Sequence, residues 1–275
     1  MKTIRQAVAD AAERLHGEYA ARDAELLLMH VLGATRASVL ANPARELTRE
    51  EVTRFEVMIA ERATGKPIQY ITGVQEFYGL EFAVTPDVLI PRPETEHLVE
   101  VVFARLPKDR AVRIADVGTG SGAIAGVLAH ALPLAQLTAL DISSAALDIA
   151  ARNAKMHGVD GRVKFVESDL LAACAGESFD VIVSNPPYIA DGEVLEKQVR
   201  EFEPSLALFA GASGYEVYER LIPQAWSALR AGGLLAMEIG FGQSVRMVEL
   251  LHAWKSVEFV NDLQGIPRVV IARHE

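Results

Sequence analysis

Residues 179–189 read Phe179-Asp180-Val181-Ile182-Val183-Ser184-Asn185-Pro186-Pro187-Tyr188-Ile189. The β-branched run Val181–Val183 has the pattern of a strand buried on both faces. It must stop at Asn185, because neither proline that follows can donate to a ladder. The residue before a proline is also pushed out of the helical region. Asn185-Pro186-Pro187-Tyr188 therefore forms a stiff, extended lip at a strand's carboxyl end, where open α/β sheets bind ligands. Asn185 offers a side-chain carbonyl and Pro186 a backbone carbonyl with no N–H of its own. Two fixed acceptors side by side suit a planar NH2 group, and Tyr188 adds an aromatic face for a flat substrate group. Holding both hydrogens of an amide or aryl amine on carbonyls draws its nitrogen toward a nucleophilic geometry without a strong base. A bland reading, in which Pro-Pro only ends the strand, stays open on these residues alone.

The flanking sequence decides which sheet this strand joins. From Val112 onward strands and helices alternate, the signature of a doubly wound, mostly parallel sheet. Arg113–Val117, Leu137–Asp141 and Val163–Glu167 read as strands before Phe179–Ser184. Ala123–Ala131 and Ser143–His157 read as helices between them. Beyond the lip, Tyr215–Leu229 reads as a helix kinked at Pro223, Leu234–Ile239 as a strand and Ser244–Trp254 as a helix. Val257–Leu263 and Arg268–Ala272 close the chain around Gly265 and read as an antiparallel terminal pair.

The turn Gly118-Thr119-Gly120-Ser121-Gly122 follows the first strand. Gly118, Gly120 and Ala123 satisfy a dinucleotide-binding spacing, and Asp141 ends the next strand as that pattern requires. A nicotinamide-dependent oxidoreductase is therefore a competitor. The extra Gly122, the preceding Asp116 and the acid Asp169 after the third strand favour a different ligand. Acids along three successive strands, with Asn185 on the fourth, suit adenosine and a zwitterionic methionine tail better than a pyrophosphate.

Ahead of the sheet the chain is helical to about residue 64. Ile4–Leu15 and Ala21–Leu32 carry apolar residues at helical spacing and end at Gly17 and Gly33. Thr48 and Glu51 form the start of a third helix in the manner of a capping box. This bundle is either a stabilising appendage or a docking surface for a macromolecule. Lys66–Pro93 is rich in proline, glycine and aromatics, with a hairpin expected over Gln75–Val84. In Leu89-Ile90-Pro91-Arg92-Pro93-Glu94-Thr95-Glu96, Pro93 fits a helix's first turn and the two glutamates its positive end. The prolines around Arg92 form either a rigid linker or one wall of a site.

Composition excludes several classes. The 275 residues are 50% hydrophobic and 23% charged, as in ordinary globular proteins, with a net charge of −10. No lysine or arginine run occurs, which argues against a surface built for duplex nucleic acid. Cys174 is the only cysteine, so no disulfide forms and an inert loop thiol is expected. The histidines lack ligand spacing, and no metal site is expected. No 18-residue apolar run or long amino-terminal apolar core occurs, so a cytoplasmic protein without a membrane partner is expected.

Several stretches together resemble the peptide chain release factor glutamine methyltransferases of the HemK (PrmC) type. They are Pro67–Gly73, Phe77–Gly79, Val88–Glu96, Asp116–Gly122, Asn185–Ile189, Phe202–Pro204 with Ala207–Gly211, and Leu263–Val270. The Asn-Pro-Pro-Tyr tetrapeptide is shared with amino-methylating DNA enzymes, which leaves an adenine methyltransferase as an alternative. Pro-Arg-Pro-Glu-Thr-Glu after a helical domain is more specific. The resemblance implies a Rossmann-like methyltransferase domain over 94–275, a hairpin and linker over 76–93, and a helical substrate-docking domain over 1–75. It implies transfer of methyl from S-adenosyl-L-methionine, leaving S-adenosyl-L-homocysteine, to the glutamine amide of a release factor's Gly-Gly-Gln loop, with no direct nucleic-acid binding. Gly118, Thr119, Gly120, Ser121 and Gly122 would cradle the methionine part, Asp141 the ribose, and Asp169 with Leu170 the adenine. Asn185, beside the cofactor, and Pro186 would be catalytic, with Pro187 and Tyr188 shaping the glutamine slot.

Overall fold

The computed structural model describes residues 2–107 and 109–275. They fall into two compact units, one running to Val74 with Glu196–Phe202 added, the other made of Gln75–Leu195 and Glu203–Glu275.

In the first unit, α1 (Ile4–Leu15), α2 (Ala20–Leu32), α3 (Arg36–Ala41), α4 (Arg49–Ala63) and α5 (Ile68–Thr72) follow in order. The Thr48–Glu51 capping box forms as the spacing predicts, and Thr3 with Gln6 makes a second one on α1. Apolar positions at helical spacing converge: Ile4, Ala7 and Ala11 pack with Leu27, Leu28, Val31, Phe55 and Ile59. Arg62 on α4 donates to Asp23 on α2 at 2.7 Å. α3 and α5, of 6 and 5 residues, are too short to show a period in the sequence.

The second unit opens with the hairpin β1 (Val74–Phe77) and β2 (Leu80–Ala83). Its turn residues Tyr78 and Gly79 both have positive φ, 52° and 76°, the geometry that matches strand twist. α6 (Pro93–Phe103) then starts on Pro93, with Glu94 and Glu96 in its first turn. The alternating region follows as β3 (Arg113–Val117), α7 (Ala123–Ala131), β4 (Gln136–Asp141), α8 (Ser144–Met156), β5 (Val163–Glu167) and β6 (Phe179–Ser184). Beyond the lip come β7 (Ile189–Ala190), α9 (Lys197–Phe202), α10 (Ser205–Leu208), β8 (Phe209–Gly211), α11 (Glu216–Ala228), β9 (Leu229–Glu238), α12 (Ser244–Leu250), β10 (Lys255–Asn261) and β11 (Pro267–Arg273). Of these, α9 belongs to the first unit.

Seven strands form one sheet in the order β10-β11-β9-β6-β3-β4-β5. β3, β4, β5, β6 and β9 run parallel, and β11 is antiparallel to both β9 and β10. Period-two alternation splits β6 between two cores. Val181 and Val183 pack with Ile114, Leu137 and α7, whereas Ile182 packs with Val117, Met237 and Tyr218 of α11. The strand order reverses between β3 and β6, which is the switch point where such sheets hold ligands.

Several elements differ from the sequence reading. β9 begins at Leu229 rather than Leu234, because Phe179 pairs with Leu229 across an irregularity before Val181 meets Leu234. α12 ends at Leu250 rather than Trp254, where a tighter turn bonds Trp254 N–H to Leu251 O at 2.9 Å and buries Trp254 against Trp226. β7 and β8 form a small parallel pair of their own, too short to leave an alternating pattern. Cys174 lies buried in a helical turn, where desolvation raises its thiol pKa.

Candidate active site

The site is built on the carboxyl ends of β3, β4 and β6. Their register sets Val117 against Leu140 on one side and Ser184 on the other, so the segments that follow emerge side by side. After β3 the glycine turn curls over the end of β4: Gly118 and Thr119 both donate N–H to Leu140 O, at 2.8 and 2.9 Å. Asp141 pins it further, accepting Gly120 N–H on Oδ2 at 2.9 Å and Ser143 N–H on Oδ1 at 3.0 Å. Burial pushes the Asp141 carboxyl pKa upward, opposed by backbone N–H groups of Ser143, Gly120 and Ile142.

Asp116 serves the turn from behind. Its Oδ2 accepts the Thr119 hydroxyl at 2.6 Å and Ala125 N–H at 3.1 Å, and Oδ1 is buried without a partner among the described residues. Asp116 does not border the cavity described below. Desolvation is the main reason its pKa rises to about 7. Gly122, with φ +76°, also faces inward. A Cβ there would lie 2.9 Å from Ala150 Cβ and 3.0 Å from its Cα, so this glycine lets α7 pack against α8.

These segments border a cavity of about 380 Å³. Gly118, Thr119, Gly120, Ser121, Asp141, Asp169, Leu170, Asn185 and Pro187 all line it, together with Arg92 and Thr95. Gly122, Pro186 and Tyr188 do not. Gly122 is taken up by helix packing, Pro186 is buried, and the Tyr188 ring lies against Gly240. Asp169 stands beside Arg220 in an ion pair, a pairing no sequence spacing announces. Leu170 takes a left-handed backbone with φ 54°.

Hydrogen bonds tie the lip down at Asn185 and Tyr188 and brace Ser184 just before it. Ser184 Oγ donates to Val117 O at 2.7 Å. Asn185 Nδ2 donates to Thr95 Oγ1 at 3.0 Å, and the Thr95 hydroxyl donates to Glu238 Oε2 at 2.7 Å. Tyr188 O accepts from Gln243 Nε2 at 3.1 Å, while Gln243 Oε1 takes Gly240 N–H and the Tyr218 hydroxyl. Gly214, at φ +80°, makes room here, since a Cβ would meet Tyr188 O at 2.7 Å. Burial pushes the Tyr188 phenol up to about 12, so it stays neutral. The Pro-Arg-Pro-Glu-Thr-Glu segment forms a wall of the site, not a bare linker. Arg92 pairs with buried Glu203, which also accepts Ile90 N–H at 3.2 Å.

Thr95, Glu238, Gln243 and Arg220 escaped the sequence reading. Glu238 left a usable trace, as the one acid in the apolar run Leu234-Leu235-Ala236-Met237-Glu238-Ile239. A charge placed there must be paired or neutral once buried.

A parallel sheet with an antiparallel terminal strand and a glycine turn facing a strand-end lip defines a Rossmann-like methyltransferase. Solved structures share the fold. A 16S rRNA methyltransferase from T. Thermophilus in complex with AdoMet and guanosine superposes with TM-score 0.56 at 20% identity, covering 74% of this chain and 50% of its own. A methyltransferase from Pyrococcus furiosus does so with TM-score 0.53 at 17% identity, covering 79% and 96%. Family models described as the PrmC N-terminal domain and the methyltransferase small domain match residues 6–73 and 95–204. Release factor glutamine methyltransferases of Koribacter versatilis and Escherichia coli are 48% and 41% identical, covering 91% and 92% of this chain and 90% and 92% of their own length. That of Moorella thermoacetica is 44% identical and covers 98% of each. The chain belongs to the release factor glutamine methyltransferase family.

Proposed function

We propose that this protein binds S-adenosyl-L-methionine in the strand-end cavity. It transfers the methyl group to the side-chain amide nitrogen of the glutamine in a release factor's Gly-Gly-Gln loop, in the cytoplasm. The observation that carries this reading is the position of Asn185, on the cavity wall beside the glycine turn, with its Nδ2 already engaged. Family membership removes the oxidoreductase alternative.

The residues fit the cofactor. A Cβ at Gly118 or Gly120 would enter open space, so bare backbone can approach a ligand there. The cavity volume lies in the small-molecule range of roughly 300–1,000 Å³. The Asp141 carboxylate borders the cavity and keeps acceptor capacity beyond its backbone bonds, which suits a ribose hydroxyl. Leu170 offers an apolar side and Asp169 with Arg220 a polar edge for a purine.

When bound, S-adenosyl-L-methionine supplies an electrophilic sulfonium methyl. The chain's own work is positioning. Asn185 Oδ1, on the cavity wall, accepts one amide hydrogen and the backbone carbonyl of Pro186, a buried residue off that wall, accepts the other; together they hold the nitrogen's lone pair toward the methyl. The same carbonyls stabilise the positive charge that develops on nitrogen, and its proton leaves after transfer. Neutral Tyr188 and Pro187 keep the amide in its slot.

The test is label transfer from radioactive S-adenosyl-L-methionine to a purified release factor and to a copy whose loop glutamine is alanine. Label on the first alone supports the reading. Label on neither, or on added RNA instead, overturns it. Asn185→Ala should bind cofactor with wild-type affinity and lose at least about 100-fold in kcat, the loss seen when a transition-state hydrogen bond is removed. Near-normal turnover would take Asn185 out of the mechanism.

A further inference from the structure

Asn185 can serve as an acceptor only if its side-chain amide faces the right way. An asparagine amide has two near-isosteric ends of opposite hydrogen-bonding sense. With Oδ1 toward the substrate nitrogen the group attracts its hydrogens; turned over, Nδ2 repels them. A rotation about one bond therefore separates a catalytic residue from an inhibitory one.

Two residues beside it settle the choice. The parallel register pairs Ser184 with Met237, so the next residues, Asn185 and Glu238, leave neighbouring strands together. Thr95 from the first turn of α6 stands between them. Its hydroxyl hydrogen goes to Glu238 Oε2 at 2.7 Å, and its oxygen accepts from Asn185 Nδ2 at 3.0 Å. Thr95 and Glu238 are 4% and 3% exposed, so bulk water does not offer easy substitutes. An ionised carboxylate can only accept, so the hydroxyl must donate toward it. That leaves the hydroxyl lone pairs for Asn185, which must present Nδ2 to Thr95 and Oδ1 to the cavity.

We propose that Thr95 and Glu238 are positioning residues that lock the Asn185 amide with Oδ1 toward the acceptor nitrogen. The catalytic half of this statement rests on the methyl-transfer reading above; the orientation lock does not. Reversal of the chain follows from the same bonds. A protonated Glu238 can donate to Thr95 Oγ1, freeing the Thr95 hydrogen to turn toward Asn185 and draw Oδ1 to itself. The groups around Glu238 set where this happens. Desolvation raises its pKa to about 7, and Glu94 on α6 pushes the same way; Thr95, Arg268 on β11 and Tyr188 of the lip favour the ionised form.

The test needs two readouts on the full chain. The first is the Asn185 side-chain NH2 signal in 15N-labelled protein, identified by its loss in Asn185→Ala. It should shift with pH through about 7 in the wild type and in Thr95→Ser. In Thr95→Val and Glu238→Gln it should not. This readout requires no release factor, so it stands whether or not the protein methylates one. The second readout is kinetic. Thr95→Val should lower kcat by about 10- to 100-fold, as expected for a misplaced reacting group. Cofactor affinity should be unchanged, and Thr95→Ser should restore the rate. A wild-type signal that ignores pH and is unmoved by Thr95→Val overturns the lock. Wild-type kcat in Thr95→Val, or a loss that appears only as weaker cofactor binding, overturns the catalytic role. A normal titration with no methylation by the wild type would instead refute the proposed function.

Discussion

Asp141 does two jobs with one carboxylate. Each oxygen accepts one backbone N–H, from Gly120 and Ser143, and thereby shapes the glycine turn and the start of α8 before any ligand arrives. The carboxylate also keeps acceptor capacity for a hydroxyl donor. In Asp141→Ala both functions disappear, and calorimetry should find S-adenosyl-L-methionine bound at least about tenfold more weakly. One hydrogen bond to a charged group is worth about 1.5–3 kcal/mol, and about 1.4 kcal/mol is tenfold in affinity. Unchanged affinity would remove Asp141 from the ribose position. The sequence exposes this residue because an acid at a strand's end, some 20 residues past a glycine turn, has a known chemical use. Asp169 shows the same surface pattern but is paired with Arg220, 51 positions away in sequence. Asp116 is the converse, an acid whose spacing suggests the ligand but whose side chain turns behind the turn. Spacing locates an acid along a strand; which way its carboxylate faces depends on neighbours that only folding supplies.

The glycine turn is held from the far side by a single side chain on α8. Asn153 is fully buried. Its Nδ2 donates to Ser121 O at 2.8 Å and Ala83 O at 3.0 Å, while Oδ1 accepts Ala83 N–H at 2.8 Å. One amide thus joins the end of β2, the turn and α8. Asn153→Ala would remove the partner of three backbone groups at once, the buried Ser121 O and the part-buried N–H and O of Ala83. It should destabilise the protein by roughly 2–4 kcal/mol, from the cost of unmet buried hydrogen bonds, with an unchanged urea m-value. It should also weaken cofactor binding as the turn loosens. A urea midpoint equal to wild type would mean that water replaces the amide. Elements were legible where burial imposes a repeat: β3, β5, α7 and the capped helices α1 and α4 follow from apolar period and end signals. The short pieces were not, because α5, α9, α10 and β7 hold too few residues to display a period, and β9 because glycines 232 and 233 hide its first half. Thr95 was visible inside a distinctive motif, yet its partners come from the lip after β6 and from the end of β9, and a pairing across elements has no local signature.

At the level of the whole molecule, two sets of carboxyl groups pull stability in opposite directions with pH. Asp116 and Glu238 are raised from 3.8 and 4.5 to about 7, chiefly by desolvation. Between those limits the folded state holds more protons than the unfolded chain, so their stabilisation is complete below the ordinary carboxylate values and is lost as pH rises through about 7. Asp141 is shifted the same way by burial. Glu51, Glu56, Glu216 and Asp262 are lowered, Glu51 by the Thr48 backbone N–H, Glu56 by Arg14, Glu216 by the Ser213 N–H and Asp262 by the Ile266 N–H. Their contribution is present above the ordinary values and is lost as pH falls through the depressed ones. The net charge of −10 adds like-charge repulsion that grows on the alkaline side. The ligand-free protein should therefore show its highest Tm at acidic pH, roughly 4–5, near the ordinary carboxylate values, with a decline on either side. Differential scanning calorimetry across pH 3–9 (roughly the span these carboxyls titrate over) would display the dome. Asp116→Asn isolates the cause, because it keeps the residue's shape but cannot ionise. Its Tm should fall less steeply than wild type between pH 5 and 8 (about the range in which a raised carboxyl discharges its proton). If the two profiles ran parallel there, Asp116 would be ionised in the native protein at no extra expense. The decline would then belong to Glu238, Asp141 and the overall charge.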